Sequence, residues 1–132
     1  MSSYRDLIAW KKSMDLVEHI YMATGGFPKS ETYGLRSQMR RSAVSIPCNI
    51  AEGQGRGSDL DFIRFLTISR GSVLELETQT EIARRLGLLS DATAKQLFGE
   101  VCEVGRIVNG LISGIERKPA HRGTRNRLTT DN

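Results

Sequence analysis

The chain has 132 residues, 39% of them apolar, with 19 Lys and Arg against 15 Asp and Glu for a net charge of +4. These values suit one domain around one core and exclude disorder throughout, since a chain unable to bury apolar side chains looks more polar and more lopsided in charge. No apolar run approaches the roughly 18–20 residues that cross a bilayer, and the opening MSSYRD lacks the cationic and apolar blocks of a signal peptide, so a cytoplasmic protein without a membrane partner is expected.

The first predicted element is a helix over about Leu7 to Thr24, where Leu7, Trp10, Met14, Val17, Tyr21 and Thr24 recur at spacings of three and four along one inward face. Leu16 and Ile20 form a second, flanking stripe. The run GGFP at Gly25 to Pro28 ends it. A second helix is predicted from about Ser30, a plausible N-cap, to Glu52, with Leu35, Met39, Ala43, Ile46 and Ile50 facing inward. Pro47 removes one backbone hydrogen bond and crowds the Ala43 carbonyl, which predicts a kinked but continuous helix. The glycines of GQGRG then form a loop, and Ser58 with Asp59 and Asp61 opens the next helix.

The third helix is predicted over about Asp59 to Leu86, with Phe62, Phe65, Ser69, Ser72, Leu76 and Ala83 near one face and Leu66, Val73 and Ile82 beside it. Ser69, Gly71 and Ser72 cost helix propensity in its middle, which points to close approach of another backbone. Gly87 supplies a C-cap and Ser90 an N-cap, so short a link that helices three and four must be antiparallel neighbours. Helix four, about Asp91 to Glu116, has the cleanest repeat: Leu97, Val101, Val104, Val108, Leu111 and Ile115. Phe98, Cys102, Gly105 and Ile112 form a second row, and Gly110 with Gly114 suggests a close crossing. The pattern predicts an all-α, antiparallel up-down four-helix bundle over residues 1–117, followed by a disordered basic tail over 118–132. The tail carries Lys118, Arg122, Arg125 and Arg127 against Asp131, a net +3, and leaves only +1 on the bundle.

Catalytic and metal-binding constellations are sparse. His19 and His121 are the two histidines, no Glu-x-x-His occurs, and GQGRG lacks the lysine and preceding strand of a phosphate-binding loop, so no enzyme activity, metal or cofactor is expected. Cys48 and Cys102 have no CxxC spacing and are expected as buried thiols. Basic residues are the remaining lead. Arg36, Arg40 and Arg41 on helix two and Arg64 and Arg70 on helix three could meet phosphates, although Arg64 can pair with Asp61 and Arg85 with Glu81.

Three ordered segments carry a resemblance: YRDLIAWKKSMDL at Tyr4 to Leu16, ETYGLRSQMRRSAVSIPCNIAEG at Glu31 to Gly53, and FIRFLTISRGSVLELETQ at Phe62 to Gln79. Together they resemble the four-helix-bundle family named for 23S rRNA intervening-sequence proteins, which includes the accessory variability determinant of diversity-generating retroelements. The family's arginine pair falls on Arg40 and Arg41, its SIPxNIAEG segment on Ser45 to Gly53, and its RGS-x-x-EL-x-T segment on Arg70 to Thr78. The resemblance implies a homopentameric ring with a basic surface for nucleic acid and no enzyme activity. Asn49, Glu52 and Glu75 then become candidate buried polar partners that set helix register. Paired apolar stripes on helices one and four favour a subunit interface. The expected role is a homo-oligomeric RNA- or DNA-binding accessory, with Arg36, Arg40, Arg41, Arg64 and Arg70 as candidates and Arg122, Arg125 and Arg127 as an auxiliary arm. The alternative is a scaffold that binds another protein and no nucleic acid.

Overall fold

Helix ends explain most of the chain's layout. In the computed structural model, which describes residues 3–119, Ser3 closes a reciprocal capping box with Asp6 over a short 3-10 turn, Tyr4–Asp6. Helix α1 follows over Ile8–Thr24. The next segment differs from expectation: Ser30 lies in a 3-10 turn, Lys29–Glu31, and α2 starts five residues later, spanning Leu35–Gly55. The Glu31 carboxylate supplies the cap, accepting from the Leu35 N–H at 2.9 Å, so a side chain one turn before the helix does what Ser30 was expected to do. The helical assignment runs without a break through Pro47. Ser58 caps α3, Asp59–Arg85, by accepting from the Asp61 N–H, and Ser90 caps α4, Asp91–Glu116, by accepting from the Thr93 N–H. Between them Gly87 takes the left-handed conformation, φ 73°, that ends α3 tightly enough for α4 to return beside it.

Each helix packs on its neighbours in sequence, and α1 also packs on α4, which closes a ring of four. All the seams are antiparallel. Ser45 meets Ser72 while Gly53 meets Phe62 and Phe65 across α2 and α3. Gly105 faces Val73 and Asn109 faces Arg70 across α3 and α4, and Lys12 faces Glu103 and His19 faces Glu100 across α1 and α4. The result is an all-α bundle; no described helix is long and apolar enough to cross a membrane.

The core contains Met39, Ala43, Ile46 and Ile50 of α2, Leu76 and Ala83 of α3, and Leu97, Val101, Val104, Val108 and Ile115 of α4, as their spacing predicts, together with Leu66 and Val73 of α3, which were expected beside the inward row, while Phe62 and Phe65 of that row are half-buried. Helix α1 is a correction. Its buried face is Ala9, Ser13, Leu16, Ile20 and Thr24, whereas Met14 and Tyr21 are exposed. The row expected to flank is the core row, because small Ala9 and Ser13 can be buried between two neighbours where larger side chains extend past the seam. Their polar counterparts cost little: Ser13 Oγ donates to the Trp10 carbonyl and Thr24 Oγ1 to the Ile20 carbonyl.

Helices α2 and α3 share the largest interface, and its middle is polar and small. Ser69 Oγ donates to the Ile46 carbonyl at 3.0 Å, and the Ser45 and Ser72 hydroxyls are 2.8 Å apart. Gly53 is the closest approach: a Cβ there would stand 2.6 Å from Phe65 Cβ and 3.3 Å from the Phe62 carbonyl oxygen. The expectation of close crossings at Gly71, Gly110 and Gly114 does not hold, since a Cβ on any of the three would meet open space. Ile82 is likewise exposed rather than inward, and Cys48 is exposed while Cys102 is half-buried.

Candidate nucleic-acid interface

The last turn of α1 leaves carbonyl oxygens without helical partners at the negative end of the helix dipole. Arg40, projecting from α2, fills that role. Its Nε donates to Thr24 Oγ1 at 2.9 Å, its Nη2 donates to the Tyr21 carbonyl at 3.1 Å, and its guanidinium lies 4.3 Å from the centroid of the Tyr21 ring. Since Thr24 Oγ1 spends its own proton on the Ile20 carbonyl, its oxygen is turned to accept from Arg40. Arg40 is therefore committed to holding α1 on α2 through a cation over an aromatic face and two hydrogen bonds.

Around this anchor runs an open groove of about 430 Å³ lined by Tyr21, Thr32, Arg36, Ser37, Arg40, Arg41 and Val44. Arg36 is half-buried in its wall and Arg41 is exposed. Neither has an ion-pair or hydrogen-bond partner among the described residues, in contrast to Arg40. Their charges thus remain uncompensated along the rim, where an anion would meet them with little competition.

The other sequence candidates lie elsewhere. Arg64 is exposed and pairs with Asp61 at 3.5 Å, as its spacing predicts, and Arg70 Nη1 donates to Asn109 Oδ1 of α4 at 3.4 Å. Because the helices follow one another around the ring, the α3/α4 seam that Arg70 spans lies opposite the α1/α2 groove. The five arginines do not form one surface. Arg84 and Arg85 are also spoken for, both holding Glu81, at 2.9 and 2.8 Å. Their hydrogen bonds, from Arg84 first and then Arg85, lower the Glu81 carboxyl to about 2, and the same contact raises Arg84. Arg122, Arg125 and Arg127 lie outside the described residues.

The proposed register residues are corrected. Glu52 is exposed and pairs with Arg56 one turn on, Glu75 is exposed, and half-buried Asn49 donates within its own helix to the Ser45 carbonyl and hydroxyl. Across the α2/α3 seam the polar contacts are made instead by serines, Ser69 reaching the Ile46 carbonyl and Ser45 meeting the Ser72 hydroxyl, distances that suit short side chains. His19 pairs with Glu100 across α1 and α4 beside the Lys12 to Glu103 pair at 3.3 Å, a partner that no local spacing reveals. No group of three or more His, Cys, Asp and Glu among the described residues could hold a metal ion. Sequence reasoning also missed Tyr21 and Thr24 as partners of Arg40. The available signal was their position in the last turn of α1, where a cation is favoured.

The model of the 23S rRNA-intervening sequence protein family matches residues 5–110, which include all of α1, α2 and α3 and most of α4. A crystal structure of a protein with unknown function from the S23 ribosomal protein family, from Bacteroides thetaiotaomicron, superposes with a TM-score of 0.72 at 22% identity, covering 80% of this chain and 98% of that one. At that identity the likeness is one of fold. No curated protein matches the chain. With the motif segments, the four-helix ring and the family match in agreement, the chain belongs to the 23S rRNA-intervening sequence protein family.

Proposed function

We propose that this protein is a non-enzymatic, homopentameric accessory that binds RNA or DNA in the cytoplasm through the α1/α2 groove. The observation that carries the reading is the pair of uncompensated cations, Arg36 and Arg41, beside an arginine already fixed in place. Phosphates supply the charge and acceptor oxygens that such a rim lacks, and guanidinium groups present donors suited to them.

Assembly of several copies is supported by a face of α3 that exposes Ile68, Leu74, Ile82 and Leu86, with Gly71 and Thr78 between them. The stripe expected on α4 gives no such support, because none of its large apolar side chains is exposed; α3 and α1 carry those. In this reading Pro47 kinks α2, and the side-chain donors that reach the adjacent Ser45 and Ile46 carbonyls help hold the bend. A ring would repeat the groove and raise avidity without any new contact.

Gel-shift titrations at two salt concentrations test the reading. Wild-type protein is expected to bind structured RNA, single strands or duplex with an affinity that falls steeply with salt. An Arg36→Glu, Arg41→Glu variant should lose affinity and flatten the logarithmic salt slope by about one for each phosphate contact removed. Arg40 is left intact so that folding is not disturbed. Absence of binding to every form at low salt defeats the proposal.

A further inference from the structure

Of the three tyrosines, two have evident structural partners. Tyr4 meets Trp10 edge-on with ring centroids 5.4 Å apart, and Tyr21 lies under Arg40. Tyr33 is different: it is 96% exposed and makes no ring, hydrogen-bond or cation contact among the described residues. It stands between the 3-10 turn Lys29–Glu31 and the start of α2, next to Thr32 in the groove wall and three positions before Arg36. Folding gains nothing from that ring, which leaves a large apolar face in water one position along the chain from Thr32 of the basic groove.

We propose that the groove takes single-stranded nucleic acid, with phosphates on Arg36 and Arg41 and an unpaired base stacked on Tyr33. This rests on the nucleic-acid reading above and adds the strand form. An exposed aromatic face offers stacking to a base that has lost its neighbours, and does so whatever the base, because every base has a π-face. A duplex keeps its bases stacked on one another and presents edges and phosphates, so it gains from the arginines but not from the ring. Ser37, in the same wall, adds a hydroxyl able to donate to a phosphate oxygen.

The test is fluorescence anisotropy with the full chain and a labelled 12-nucleotide probe, presented as single-stranded RNA, single-stranded DNA and the matching DNA duplex. Wild type should prefer the single strands, and the RNA and DNA arms identify which of them it takes. Tyr33→Ala should weaken single-strand binding by roughly 5- to 150-fold while leaving duplex binding and the melting temperature unchanged, and Tyr33→Phe should retain wild-type affinity. Equal affinity for duplex and single strands, or a Tyr33→Ala variant indistinguishable from wild type while Arg36→Glu, Arg41→Glu still abolishes binding, overturns the single-strand assignment and leaves the broader reading standing. Failure of wild type to bind any probe overturns both. Competition with polyglutamate adds a further arm: displacement as potent as that by unlabelled oligonucleotide at equal charge, and unaffected by Tyr33→Ala, assigns the groove to acidic protein and also overturns the inference.

Discussion

At the scale of single residues, the glycines separate into those the bundle requires and those it tolerates. Gly53 lets the end of α2 lie against the first turns of α3, and any side chain there meets the backbone-proximal Cβ of Phe65 and the Phe62 carbonyl, neither of which can swing aside. Gly53→Ala is expected to destabilise the protein by about 1–3 kcal/mol, as overpacking commonly does. Gly99, exposed in α4 with open space around it, should behave oppositely: Gly99→Ala removes a helix-interior glycine and adds about 0.5–1 kcal/mol. Urea unfolding of both variants checks the pair; equal effects at the two positions would contradict the close approach. The motif SIPCNIAEG thus ends on a residue whose role is steric, while its Glu52 is a surface ion-pair partner.

At the scale of elements, charge is used to finish helices and to join them. The end of α3 concentrates Glu81, Arg84 and Arg85, and Arg84 extends to Asp91 at the start of α4 at 3.4 Å. A carboxyl lowered to about 2 in the folded chain from an ordinary 4.5 binds protons less readily than it does unfolded. It therefore contributes stability that is present above about pH 4.5 and lost as pH falls through about 2. The expected outcome is that Glu81→Gln lowers the melting temperature modestly at pH 7, the pair being near the surface, and that its deficit relative to wild type shrinks as pH falls from 4.5 towards 2. Melts at pH 7, 4 and 2.5 measure it, and a deficit that stays constant across that range would show that Glu81 makes no such contribution.

At the scale of the whole molecule, the proposed assembly has copies of the chain meeting through the apolar face of α3. Exposed Ile68, Leu74, Ile82 and Leu86 lie on the side of α3 turned away from Leu66, Val73, Leu76 and Ala83, so charging them leaves the core intact. Leu74→Glu with Ile82→Glu is expected to reduce the native mass to that of a single chain while circular dichroism stays helical. Native mass spectrometry settles the number of subunits in wild type, and an unchanged mass in the variant would remove α3 from the interface.

Four helices, their order, most of their ends, the core rows of α2 and α4 and part of that of α3 were legible in the sequence. A helix's inward face repeats every three to four residues, and caps such as Ser58, Ser90 and Gly87 act within one turn of their own position. Helix α1 was misread because periodicity ranks large side chains first, and which of two adjacent stripes is buried depends on where α2 and α4 lie. The basic candidates were visible as residue types, but their grouping was not. Arg40 is removed from the free charge by the end of α1, sixteen positions or more away, and Arg70 turns to α4 on the opposite side of the ring. Composition and spacing by themselves determined that the chain is a helical bundle and which family it resembles, since both are written in local periodicity and contiguous motifs. Only the packing of the four helices decided which arginines keep an uncompensated charge, that they share a groove, and that Tyr33 is left bare, because these depend on contacts between segments distant along the chain.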